Sequence, residues 1–118
     1  MIEPAINLDG LRMNAAETDG NGVIGVETIF HFHQEGANVH AEYSGGRISK
    51  GYLVGIVQGS KLKFRYCQLE TDGTLNGGHS HCELVRSENS LLQIIEHFEW
   101  ESRPGGGRNV IQQLPEPG

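Results

Sequence analysis

The chain has 118 residues, a formal net charge of −6 and 17 Gly against 4 Pro. That length suits one domain, spanning 1–118, that closes a core without metal or disulfides. The acidic balance, with no Lys/Arg cluster, argues against an electrostatic grip on nucleic acid or an anionic membrane. Residues Met1 to Asn7 have neither a basic start nor a long apolar run, so no signal peptide or membrane helix is expected and a cytoplasmic location follows. If Asp72-Gly73 is a two-residue turn, Cys67 and Cys82 lie roughly 13 Å apart at ~3.3 Å per residue, beyond the reach of a disulfide. Free thiols are expected.

No helical period runs through the chain. Apolar residues alternate with period two, and a turn signal recurs every ten to fifteen residues, the pattern of a β-meander. Leu8 to Ala16 reads as the first strand, with Leu11 and Met13 on one face. Thr18-Asp19-Gly20-Asn21-Gly22 has the start of a calcium-loop spacing but no later glutamate to complete it, and reads as a turn.

Val23 to Gln34 is the second strand, reversed at Glu35-Gly36 into a third from Ala37 to Ser44. A two-residue loop there pairs Phe32 with Val39, Phe30 with Ala41 and Thr28 with Tyr43 inside, and leaves His31, His33, His40 and Glu42 outside. Gly45-Gly46 and Gly59-Ser60 bound the fourth strand, Arg47 to Gln58. The first turn sends Ile48, Lys50, Tyr52, Val54 and Ile56 inward and the second sends Leu53, Gly55 and Val57; a bulge at a glycine would reconcile them. On the fifth strand, Lys61 to Glu70, Lys63 and Arg65 prefer water, which directs Leu62, Phe64, Tyr66 and Gln68 inward.

Asp72-Gly73 leads to the sixth strand, Thr74 to Ser87, and Glu88-Asn89 to the seventh, Leu91 to Arg103. Two-residue loops at both turns set Tyr66 against His79 and His81 against Glu96, with Glu83 and Trp100 on the same inner face. Pro104 to Gly107 connects to a last strand, Arg108 to Leu114, and a flexible tail, 115–118, follows. An all-β fold of about eight antiparallel strands in sequence order leaves two open edges unless the first and last strands join. We therefore expect a small up-and-down barrel, with a two-sheet sandwich as the alternative.

An interior holding Tyr43, Tyr66, Gln68, His79, His81, Glu83, Glu96 and Trp100 is more polar than folding requires, because each buried polar group costs free energy unless partnered. These residues are the expected lining of a pocket for a small polar molecule, with the His81–Glu96 pair orienting it. A second reading uses the same pair as acid and base in isomerase- or cyclase-type chemistry. A third is a structural or interaction protein with a filled barrel. No metal or cofactor is expected, and His31, His33 and His40 read as surface groups. Outside, Cys82, Leu84, Leu91 and Ile95 beside Gln93 and His97 form an apolar streak that suits a homodimer contact.

Several runs carry a resemblance: Glu27 to Gln34, Ala41 to Gly46, Gly51 to Gly55, Arg65-Tyr66-Cys67-Gln68 and Glu96 to Trp100. Over about Thr28 to Ile111 the chain resembles a family of small bacterial proteins of avidin- or lipocalin-like barrel type, many of which bear the automatic name N-acetylglutamate synthase. Cys67 departs from the Arg-Tyr-His-Gln run more usual there. The name implies acetyl transfer from acetyl-coenzyme A to glutamate. Acetyltransferases of that type use a pyrophosphate-binding turn at a helix start, and no such segment is present. A non-catalytic ligand-binding barrel is the function expected.

Overall fold

The computed structural model describes residues 6–115, so Met1 to Ala5 and most of the expected flexible tail lie outside the described residues. Eight strands follow one another: β1 (Arg12–Glu17), β2 (Ile29–Glu35), β3 (Asn38–Gly45), β4 (Ile48–Gln58), β5 (Lys61–Glu70), β6 (Leu75–Arg86), β7 (Leu92–Trp100) and β8 (Gly106–Gln113). Each pairs antiparallel with its neighbour, and β1 pairs with β8, closing the barrel in strict sequence order. Closure leaves no strand edge unpaired. Among the described residues no helix is long and apolar enough to cross a membrane.

Alternation sorts the side chains. Met13, Phe30, Phe32, Ala41, Leu53, Leu62, Leu84, Ile94, Phe98 and Ile111 fill one core inside the barrel. Leu8, ahead of β1, is fully buried in the same core, and its amide donates to Gln34 Oε1 at 2.8 Å. It plugs the end where β2 turns into β3. At the opposite end, residues 18–28 fold over the opening and bury Val23. Val23 to Thr28, expected in β2, are not strand: Thr28 N bonds Gly25 O as a turn, and Thr28 Oγ1 donates to Gly45 O at 3.1 Å.

Turn chemistry sets each register. The β2–β3 loop is Gly36-Ala37 rather than Glu35-Gly36, closing on Glu35↔Asn38, with Gly36 at φ +61°. Phe30 thus faces Tyr43, and His33 rather than His31 faces His40. The slip is two residues, so the faces are unchanged. In β4 a bulge between Ile48 and Lys50 reconciles the two opposed countings: Ile48 points in before it, and Gly51, Leu53 and Val57 point in after it. Lys50, Tyr52, Val54 and Ile56 are outside, contrary to the count from Gly45-Gly46.

The turns flanking β6 are where the fold departs most from expectation. Both are three-residue loops: Thr71-Asp72-Gly73 closed by Glu70 N to Thr74 O, and Glu88-Asn89-Ser90 closed by Ser87 N to Leu91 O. Each ends in a left-handed residue, Gly73 at φ 91° and Ser90 at φ 63°, the geometry of a type I turn with a bulge. One extra loop residue moves β6 by one, and a one-residue slip exchanges its faces. Asn76, Gly78, Ser80, Cys82 and Leu84 point inward, while His79, His81 and Glu83 point outward. The expected apolar streak loses Cys82 and Leu84 to the core, so the homodimer contact drawn through them is not present on the surface. Both cysteines are free, Cys67 exposed and Cys82 buried.

Candidate functional site

The site lies at the end covered by residues 18–28, where β4 begins, β5 and β7 end and β8 begins. A cavity there is lined by Phe30, Tyr43, Leu53, Phe64, Tyr66, Gln68, Glu96, Phe98, Trp100 and Asn109, with Gly22, Val23 and Ile24 forming its roof. The aromatic walls are ordered by mutual contact. Phe30 and Tyr43 stack with ring centroids 4.6 Å apart, and Trp100 meets the edges of Tyr66 and Phe98 at 5.7 Å each. The free space is narrow, a cavity of about 30 Å³, enough for a water molecule or two.

The floor of the cavity is a chain of polar groups. Ser80 Oγ donates to Glu96 Oε2 at 2.6 Å, and Asn109 Nδ2 donates to Glu96 Oε1 at 3.0 Å. Asn109 Oδ1 accepts from the backbone N of Asp19 at 3.1 Å, tying the floor to the roof loop. Burial pushes the Glu96 carboxyl above the ordinary range, and the Ser80 and Asn109 contacts offset this only in part. Tyr43 Oη donates to Gln68 Oε1 at 2.7 Å, so that pair is satisfied. The Tyr66 hydroxyl is buried with no hydrogen-bond partner. Burial raises both phenols well above their usual range, with the Glu96 carboxyl adding to it, and both stay protonated.

Two small residues make room for the tyrosines. A Cβ on Gly51 would enter the Tyr43 ring, and a Cβ on Gly78 would meet the Tyr66 hydroxyl at 2.5 Å. The roof is latched from several sides. Trp100 Nε1 donates to Asn21 O at 3.0 Å, Asn21 Nδ2 to Gly106 O at 3.0 Å, and Arg103 lies over the Trp100 ring at 4.4 Å. Asp19 Oδ1 accepts from Asn21 N at 2.9 Å, so the Asp19–Gly22 stretch is a turn held by its own side chain, as expected. Beside the cavity, buried Glu70 accepts from Asn76 Nδ2, and Asn76 Oδ1 accepts from Ser102 Oγ at 2.9 Å.

Five of the expected site residues, Tyr43, Tyr66, Gln68, Glu96 and Trp100, line this cavity together. Three do not. His79 is outside, with Nε2 3.1 Å from Glu99 and Nδ1 3.0 Å from Glu101, which Arg65 also grips. His81 faces His97 on the outer wall, and Glu83 pairs with Lys61 at 3.0 Å. The expected His81–Glu96 pair does not form, so an acid–base mechanism cannot run through it; the partner of Glu96 on β6 is Ser80. The residues that sequence reasoning missed are Ser80, Asn109 and the roof. Reading Thr71-Asp72-Gly73 as a three-residue loop with Gly left-handed would have found Ser80. Cys67 points outward beside Tyr52, so the position where the resembling family more often has histidine lies outside the cavity. Cys82 points in, but burial raises its thiol far above the ordinary range and leaves it a poor nucleophile.

A small closed meander barrel, plugged at one end and holding a roofed, aromatic cavity with a polar floor at the other, belongs to the class of calyx-like barrels. Within that class the chain belongs to the avidin-like family: the family model described as "Avidin-like protein" matches residues 6–114. No curated protein and no solved structure matches the chain significantly.

Proposed function

We propose that the chain is a non-catalytic binder of a small, flat, largely apolar molecule that carries one hydrogen-bond acceptor such as a carbonyl oxygen. Avidin-like barrels commonly bind small ligands, which supports the class. The observation that carries the rest is the Tyr66 hydroxyl. It is the only side-chain polar atom among the described residues that is buried without a partner, and it belongs to a residue lining the cavity. An unpaired buried hydroxyl costs about 1–3 kcal/mol, and a ligand acceptor would recover that. Tyr66 remains protonated and so offers a donor. Stacked and edge-on rings favour a planar body, and because the cavity is narrow and Val23 and Ile24 line it, entry requires this roof to move aside.

The lining suits neither acetyl transfer nor acid–base turnover. It contains no Lys or Arg to meet a coenzyme A pyrophosphate, and both Glu96 oxygens are already engaged. A filled barrel that works through its outer wall is the competing reading, favoured by the narrowness of the cavity. The two separate by experiment. Native mass spectrometry of the freshly purified chain, followed by thermal-shift screening with planar heterocyclic carbonyl compounds, should give a hit whose affinity falls at least tenfold in Tyr66→Phe. The unliganded Tyr66→Phe should melt no lower than the parent, since it loses no hydrogen bond. The absence of any retained or stabilising compound, or equal affinity in the variant, would overturn the proposal.

A further inference from the structure

We infer that the outer wall of the β2–β3 hairpin carries a binding site for a divalent transition-metal ion, with Zn²⁺ the best match, built from His33, His40 and Glu42. The hairpin register creates it. Because the loop is Gly36-Ala37, His33 stands directly opposite His40, and Glu42 lies on the diagonal two residues along β3. All three side chains are on the outer face.

The donor atoms already converge: one from each residue lies within 4.8 Å of the other two. His33 Nε2 is 2.9 and 3.1 Å from the two Glu42 oxygens. The His33 and His40 rings lie nearly parallel, with centroids 4.7 Å apart and planes 19° apart, so small rotations bring both ring edges to one point. Two ligands on a tetrahedral zinc stand about 3.3 Å apart, given metal–ligand bonds near 2.0–2.1 Å. The His33–Glu42 spacing is close to that, and the ion would take the place of the hydrogen that now links them.

Two imidazoles and one carboxylate select a borderline transition ion over magnesium or calcium, which prefer all-oxygen shells. The surroundings permit the charge. On the other side of β3, Tyr52 faces Glu42 and Val54 faces His40, and neither is cationic; the Lys50 ammonium lies over the Tyr52 ring at 5.6 Å, and Arg12 is one strand further, opposite His31. The histidine pair on the far wall differs: Arg65 Nη1 lies 2.8 Å from Glu101, the carboxylate that His79 also contacts, so a fixed cation occupies the place a metal would need. With three protein ligands on an exposed wall, the site keeps a position open for water and holds an exchangeable ion.

The test uses the full chain without an affinity tag, stripped with a chelator and titrated with zinc chloride by calorimetry. One ion per chain is expected, with affinity reduced at least tenfold by His40→Ala and by Glu42→Gln, and unchanged by His79→Ala or His97→Ala. Zinc should raise the melting temperature of the parent and leave that of His40→Ala unmoved. His40 is exposed, so its variants should fold, and circular dichroism checks this. No saturable uptake by the parent, uptake indifferent to His40→Ala, or uptake that follows His79 would each overturn the site.

Discussion

At the scale of single residues, Glu96 is a buried carboxyl whose proton affinity its surroundings change. It is buried between Ser80, Asn109 and aromatic rings. Its pKa is raised in the folded chain, so the folded state holds a proton that the unfolded state releases near pH 4.3. Between these two values folding takes up a proton, and stability falls as pH rises, by up to about 1.4 kcal/mol per pH unit for one group. The contribution is fully present below the unfolded value and lost as pH passes the folded one. Glu96→Gln reproduces the neutral carboxyl, with Nε2 toward Ser80 Oγ and Oε1 toward Asn109 Nδ2. Its melting temperature minus that of the parent should therefore grow from pH 5 to pH 8. A constant difference would mean that Glu96 titrates normally.

At the scale of elements, loop length decided which faces were legible. On β5 the cations Lys63 and Arg65 alternate with Leu62, Phe64 and Tyr66, and on β7 Leu92, Ile94, Phe98 and Trp100 alternate with half-buried or exposed groups, so their inner faces could be read directly. On β6 the run His79-Ser80-His81-Cys82-Glu83 is polar on one face and small on the other, and neither announces itself as core. Two missed three-residue loops then moved β6 by one on each side. The two slips add to two residues between β5 and β7, Tyr66 aligning with Trp100 through Gly78, and an even slip leaves their faces unchanged, so β6 alone was reversed. The roof was illegible for a different reason: Val23 and Ile24 are apolar because they enter the barrel, and apolar residues beside a strand read as more strand.

The same turns give a stability prediction. Ser90 holds a left-handed conformation that disfavours a side chain, and its counterpart in the preceding turn is Gly73. Ser90→Gly should stabilise the chain by about 0.5–1 kcal/mol, read as a higher midpoint in urea, whereas Gly73→Ala should lower it by a similar amount. In the barrel wall, Gly51→Ala would push its methyl into the Tyr43 ring and break the bond to Gln68. A loss of about 1–3 kcal/mol is expected, with weaker binding of any ligand that needs the Phe30–Tyr43 stack.

For the whole molecule, closure depends on β1. It joins β2 through three register pairs and β8 through four, interrupted by a bulge, whereas β4 and β5 share ten. The barrel should open first along β1. Hydrogen exchange is then expected to be at least tenfold faster for β1 amides than for those shared by β4 and β5; uniform protection would show that closure is as strong as the rest of the wall.

The seam between the first and last strands also fixes an orientation. Met13 pairs with Gln113, and Leu114 N bonds Arg12 O, so the start of β1 and the end of β8 lie side by side. They do so at the end plugged by Leu8, a full barrel length from the roof. Leu114, the residue that follows β8, is therefore held at the plugged end, and a label placed there would sit away from the roof. The seam that closes the barrel thus lies furthest from the roof at the point where the chain enters β1 and leaves β8, and the binding proposed above should be insensitive to a label at Leu114.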